Sequence, residues 1–310
     1  MGRILALHLG LLAALIALEP LLAPFHQVNL ARVMVLACFA MGYNILFGYT
    51  GLLSLGHALF FAAGVYGAGL PIAQWGWGAE AAFLAGAAAG GLLSALAGVL
   101  ALRTVGVGFM IVTLMFAQAG FLTILYFGPV TRGDEGFILP AASRVFLGAD
   151  LAQPWPRYLA AWSLFALCLL GKLALVLSPA GRVLVAIREN EERARLLGYD
   201  PFARKLGALA LSGLYAGAAG AAYALLFGYV GATFASVQYS IFALLYCLLG
   251  GVGVVLGPFV GALAMFYLVE VTSGLTDAYL LLVGLALIGL ILFAPRGVMG
   301  LVRDRARWLP

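Results

Sequence analysis

The chemistry open to this chain rests on a few polar side chains set in apolar sequence. His57 stands mid-run in SLGHALFF, with Ser54 three residues before it and Phe61 four after, so helical spacing puts all three on one face. An imidazole there either lines a solute path or sits in the core donating to a carbonyl, and no acid beside it completes a relay. Asn44, Thr113 and Gln118, like Ser54, admit the same two readings: they line a path or bridge helices. Glu270 falls about one turn inside the outer end of another apolar run, which calls for a cavity, a donor or an outer vestibule beside it. With no second acid or histidine in its segment, it reads as structural or vestibular.

Other chemistry is excluded. No GxxxxGK[ST] phosphate loop occurs, and no nucleophile with base and orienter can be assembled, so the chain is not expected to be an enzyme. Cys38, Cys168 and Cys247 lie in apolar runs without CxxC or CxH spacing, which indicates neither disulfides nor a metal site. The net charge of +5 does not point to nucleic acid, because the basic residues sit at the ends of apolar runs.

The elements that must position these groups are membrane spans. The 310 residues are 65% hydrophobic and 9% charged, against roughly a quarter charged in soluble domains, and the mean hydropathy is +1.09. Apolar runs of helical span length predict one all-α polytopic domain over residues 1–310. The expected spans are Ile4 to Leu22, Leu30 to Phe47, Leu52 to Ile72, Ala81 to Leu102, Val105 to Phe127, Tyr158 to Leu177, Leu206 to Tyr229, Tyr239 to Gly257, Pro258 to Ser273 and Tyr279 to Ala294. The first continues past signal-peptide length without a small-residue cleavage site and reads as a retained span. About ten spans, or eight to ten, follow, because the glycines of 48–72 and 250–261 admit re-entrant or broken helices. Four-residue glycine spacing at Gly86 and Gly90, at Gly213 and Gly217, and at Gly253, Gly257 and Gly261 predicts closely packed helix faces.

With both termini on one side, thirteen basic residues fall on that side, Arg3, Arg103, Lys172, Arg182, Arg188, Arg193, Arg195, Arg204, Lys205, Arg296, Arg303, Arg305 and Arg307. Arg32, Arg132, Arg144 and Arg157 fall on the other, so the first side is expected to be cytoplasmic. The 128–157 connection then lies outside, where Asp134 and Glu135 can meet basic groups of a docking protein or simply occupy a solvated turn. The cytoplasmic loop 178–205 opens with Ser178 and Pro179, a helix start, and Gly198 is a stop. Between them Leu184, Ile187, Asn190 or Glu191, Ala194 and Leu197 share a face, predicting one amphipathic helix of about four turns. Its apolar stripe must be covered by lipid, by the protein's own spans or by a soluble partner, and Glu189, Glu191 and Glu192 suit docking better than lipid headgroups.

Several stretches together resemble the larger permease subunit of high-affinity branched-chain amino acid ABC importers. They are YNILFGYTGLLSLGHALFFAAGVY at Tyr43 to Tyr66, Arg103 to Gln118 with TRGDEG at Thr131 to Gly136, LLGGVGVVLGPFVGA at Leu248 to Ala262, and the ending FAPRGVMGL. Glu192, Arg193, Ala194 and Gly198 also match in part the ABC permease coupling motif of Glu-Ala-Ala, three residues and Gly, with Arg193 in place of the first alanine. The resemblance implies an inner-membrane permease with Arg188, Glu192, Ala194 and Gly198 at an ATPase contact. It implies a second similar permease in a heterodimer, two ATP-binding subunits that hold the ATP and Mg, a periplasmic binding protein, and lipid around the spans. Branched-chain amino acids are the expected cargo, with urea, short amides or other amino acids as alternatives. An ATP-independent channel or secondary carrier is the rival from another class.

Overall fold

The computed structural model describes residues 2–274 together with 278, 281–282, 284–285, 288–289 and 297–300. Its helices are α1 (Gly2–Leu18), α2 (Pro24–Asn44), α3 (His57–Trp75), α4 (Ala79–Ala101), α5 (Val107–Tyr126), α6 (Gly128–Thr131), α7 (Pro154–Leu177), α8 (Pro179–Glu189), α9 (Glu191–Leu196), α10 (Pro201–Phe227), α11 (Val237–Gly250) and α12 (Gly257–Ser273). Seven of them, with their short extensions, are long and apolar enough to cross a membrane: α1, α2, α3, α4, α5, α7 and α10. The chain is an all-α polytopic membrane protein. The tenth expected span, Tyr279 to Ala294, lies outside the described residues save for a few positions.

α2 is the axis of the bundle. From Leu30 to Asn44 nearly every side chain is buried, as expected of a helix that is apolar all round. α7, α10, α11 and α12 pack around it, and α10 has its broadest contacts with α4 and α3. α4 and α10 run antiparallel on small residues: a Cβ at Gly217 would stand 2.8 Å from Gly90 Cα, so only glycine permits this approach. α1 hangs on the outside of α7, where Tyr158 and Trp162 donate to the Leu15 and Leu12 carbonyls at 2.7 and 3.0 Å.

Opposite the α8 end, residues 128–153 form a small cap. Strand β1 (Phe137–Ile138) pairs antiparallel with β4 (Tyr229–Val230), which follows α10, and β2 (Val145–Phe146) with β3 (Ala149–Asp150). Glu80 at the start of α4 accepts from the Leu147 N–H at 2.6 Å, fastening this cap to the bundle.

Four expectations are corrected. The span drawn from Leu52 begins as a helix only at His57, and 51–56 are non-helical. The span drawn from Tyr239 to Gly257 ends at Gly250, and 251–256 are irregular. Gly253, with φ +71°, therefore belongs to no helix, and the series Gly253, Gly257, Gly261 is not one helix face. The single amphipathic helix is two: Asn190 turns extended, at φ −157°, and its side chain accepts from the Arg193 N–H to start α9. An Asn that caps so well competes with continuing the helix.

Candidate functional site

Both interrupted helices break at the same level, and their breaks meet. α2 runs on through a π-helical turn, Ile45–Tyr49, before the chain reverses through 50–56 into α3. α11 descends to Gly250 and returns through 251–256 as α12. Asn44 joins them, accepting from the Gly253 N–H at 3.0 Å and donating to the Val254 carbonyl at 2.9 Å. A Cβ at Gly48 would come within 2.7 Å of the Gly253 nitrogen, so these two backbones touch directly.

Two cations close this junction. Lys172 on α7 is 0% exposed, and its Nζ donates to the Val255 and Val254 carbonyls at 3.2 and 3.4 Å with the Tyr49 ring 5.8 Å away. Among the described residues no carboxylate pairs with it, so carbonyl dipoles and a ring face stand in for a counter-ion. Arg188, near the C-terminal end of α8, donates through Nη1 to the Gly48 carbonyl, and its stem lies against Gly51. A guanidinium there answers the partial negative charge where the α2 helix ends.

The start of α3 inside the bundle leaves N–H groups without helical partners, and side chains from two other helices and from the turn itself take them up. Thr113 on α5 accepts from the Leu55 N–H at 3.2 Å, Ser240 on α11 from the Ala58 N–H at 2.8 Å, and Ser54 from the Gly56 N–H at 3.1 Å. His57 Nε2 lies 2.6 Å from Ser212 Oγ on α10, and Ser212 donates on to the Gly42 carbonyl at 2.5 Å. Tyr43, Phe60 and Phe39 enclose the imidazole, with ring centroids at 4.8, 5.3 and 6.3 Å. Asn44, Ser54, His57 and Thr113 are thus all buried around the 50–56 turn and bind its backbone or its neighbours. Gln118 is separate, exposed on the outward stripe of α5 with Ile111, Met115 and Leu122.

At the α8 end, Ser178 caps α8 by accepting from the Gly181 N–H at 3.3 Å. Val183, Ile187 and Ala194 form a small buried cluster between α8 and α9. Gly198 ends α9 at φ +86°, with the Tyr199 N–H reaching back to the Ala194 carbonyl at 3.2 Å. Glu191 ties α9 to α10 through Lys205 at 2.5 Å and carries Arg195 at 3.5 Å. Glu192 is exposed, and beside it Leu196 and Leu197 are 87% and 75% exposed, the latter against the expectation that it shares the buried face. At the other end Asp134 and Glu135 are exposed on the turn before β1, and the Glu135 carbonyl accepts from Tyr229 at 3.3 Å.

Lys172 is the junction residue that sequence reasoning missed, having been assigned to a span end. Its signal was a lone lysine in LLGKLALVL, six residues short of the helix stop. Ser212 and Ser240 gave none, since a serine in a helix reads alike whether it caps a distant backbone or its own turn.

A family model described as branched-chain amino acid transport system, permease component, matches residues 28–294. The chain is 27% identical over 316 residues to the high-affinity branched-chain amino acid transport system permease protein LivM of Salmonella typhimurium, covering 93% of this chain and 73% of that one. Against LivM of Escherichia coli it is 27% identical over 329 residues, covering 97% and 76%. No solved structure matches the chain.

Proposed function

The chain belongs to the branched-chain amino acid transport system permease component family, and from this premise we propose that it is the multi-pass inner-membrane permease of an ATP-driven importer of branched-chain amino acids. ATP and Mg are bound by two partner ATPase subunits, a second similar permease completes the membrane path, and a periplasmic binding protein delivers the cargo. The α8 end, residues 178–205, is then cytoplasmic, and the 128–157 cap is periplasmic.

The observation that carries this reading is the contact of Arg188 with Gly48. α8 and α9 offer an ATPase their free side, with Glu192, the exposed Leu196 and Leu197, and the Gly198 stop. Apolar side chains exposed beyond the spans, flanked by charge, suit a groove on a soluble partner. On its other side the same unit grips the junction of the two broken helices. A shift of α8 relative to α2 moves the Gly48 carbonyl, and Asn44 hands that movement to 251–256. Alternating access needs such a two-state element biased by the ATPases. A second permease covering the exposed stripe of α5 is supported by Gln118, since a polar group in mid-span is costly against lipid. Asp134 and Glu135 present acid to the binding protein.

The test is uptake of labelled leucine into proteoliposomes holding all subunits. ATP-driven uptake that stops with catalytically dead ATPase subunits supports the importer. Uptake that persists with them assigns the chain to ATP-independent channels or carriers instead.

A further inference from the structure

A second polar constellation lies at the other end of α2, away from the junction. Arg32 sits on α2 beyond Pro24, about 12 Å along the helix at about 1.5 Å per residue. Its guanidinium makes no hydrogen bond or ion pair among the described residues, its Nε is buried without a partner, and it rests 5.0 Å from the centroid of the Phe227 ring. Arg144, from the periplasmic cap, reaches the same place. It donates to the Leu226 carbonyl at 3.4 Å, while its Nε is also buried and unpartnered.

Arg157 on α7 lies within electrostatic reach of both other arginines. It donates to the Leu151 and Ala152 carbonyls at 3.2 and 2.6 Å. Asp150 is the acid in its reach, and Asp150 already accepts from the Ala152 N–H at 2.8 Å. No ion pair joins the three arginines to an acid among the described residues. Half-buried like charges gathered this way repel unless an anion stands among them. Arg32 belongs to the central helix of the bundle and not to a lipid-facing one, which argues against a lipid phosphate as that anion.

The surroundings specify the rest of the ligand. Tyr223 packs on Phe227 at 4.7 Å and on Phe234 at 5.1 Å, and Phe234 meets Tyr239 at 5.2 Å. Both tyrosines are within electrostatic reach of Arg32. Rings of this kind receive an aliphatic side chain by apolar contact and an ammonium by their faces. We propose that Arg32, supported by Arg144 and Arg157, is a carboxylate-binding station at the outer mouth of the path, holding the arriving amino acid with its side chain on the Tyr223, Phe234 and Tyr239 rings. The proposal rests on the reading of the chain as an amino acid permease and gives that path its first protein contact.

The test has two arms. In proteoliposomes with the full complex, Arg32→Gln lowers maximal ATP-driven uptake about tenfold or more, as loss of a charge-assisted contact should. The half-saturating concentration of loaded binding protein and its stimulation of ATP hydrolysis stay unchanged, and Arg32→Lys restores part of the rate. A raised half-saturating concentration at unchanged maximal rate would overturn the station and give Arg32 to an acid on the binding protein. Wild-type uptake by Arg32→Gln would overturn it too. The second arm needs no ATP: a diazirine-bearing leucine analogue at millimolar concentration is photolysed on the purified complex. Labelling of Tyr223, Phe234 or Tyr239 in wild type and Arg32→Lys, lost in Arg32→Gln and absent with the analogue's carboxamide, supports the station. Such labelling in a complex without ATP-driven uptake would uphold the station while sinking the importer reading. Normal uptake with none of these rings labelled would overturn the station alone.

Discussion

Arg188 on α8 and Gly48 at the end of the α2 π turn stand 140 residues apart in sequence, and the guanidinium of one donates to the carbonyl of the other. The Arg188 stem passes Gly51, and its Nη1 also lies 3.5 Å from where a Cβ on Gly253 would stand. One side chain from α8 therefore touches both broken helices. Asn44 and Lys172 hold the same two segments from within the bundle, so the junction is a single unit with one handle outside it.

Lys172 is the inner clamp of that unit. Lys172→Met keeps most of the side-chain length but leaves the Val255 carbonyl without its donor, while Val254 keeps Asn44, a loss of about 1–3 kcal/mol. The variant is expected to melt several degrees lower in detergent and to exchange the amide hydrogens of 251–256 faster than wild type. Unchanged exchange there would show that the clamp is dispensable.

The packing of α4 on α10 depends on glycine at Gly217, where an added Cβ meets the Gly90 Cα at 2.8 Å and the Ala87 carbonyl at 2.9 Å. Backbone cannot rotate away as a side chain can. Gly217→Ala should cost at least about 1–3 kcal/mol by overpacking, and Gly217→Val should abolish monodisperse protein. Gly207→Ala on the same helix, where nothing lies within 4 Å, is the control and should be neutral or slightly stabilising. Equal melting temperatures for Gly217→Ala and Gly207→Ala would refute this account of the interface.

Leu196 and Leu197 are largely exposed among the described residues. Leu197→Asp should leave the melting temperature within about 1 degree of wild type, since exposed substitutions change stability little. It should nonetheless reduce co-purification of the ATPase subunits severalfold. Undiminished co-purification would move the ATPase contact to another part of the loop.

The legible part of the sequence was the part governed by local rules. Ser178 with Pro179, and Gly198, marked helix ends because capping and positive φ are decided by the residues themselves. The glycines of 48–72 and 250–261 admitted breaks for the same reason, though the expected spans run plainly through both stretches. What could not be read was decided across the bundle. His57 begins α3 only because Thr113, Ser240 and Ser54 take up the backbone before and after it, and Lys172 is buried only because 251–256 turns its carbonyls inward. In the sequence Arg188 falls off the apolar face of the loop helix and, by resemblance, at an ATPase contact, and in the structure the residue is indeed exposed. Its target is a carbonyl 140 residues away, which helical periodicity cannot reveal.

The central claim is that α8 drives the paired breaks through Arg188. It is tested most directly by the number of leucine molecules imported per ATP hydrolysed in proteoliposomes, for wild type and Arg188→Gln with the same ATPases and binding protein. Loss of a charged hydrogen bond of about 1.5–3 kcal/mol corresponds to roughly tenfold or more in the coupling. The variant is expected to keep its stimulated ATP hydrolysis while that ratio falls by about this factor. An unchanged ratio with Arg188→Gln would contradict the account.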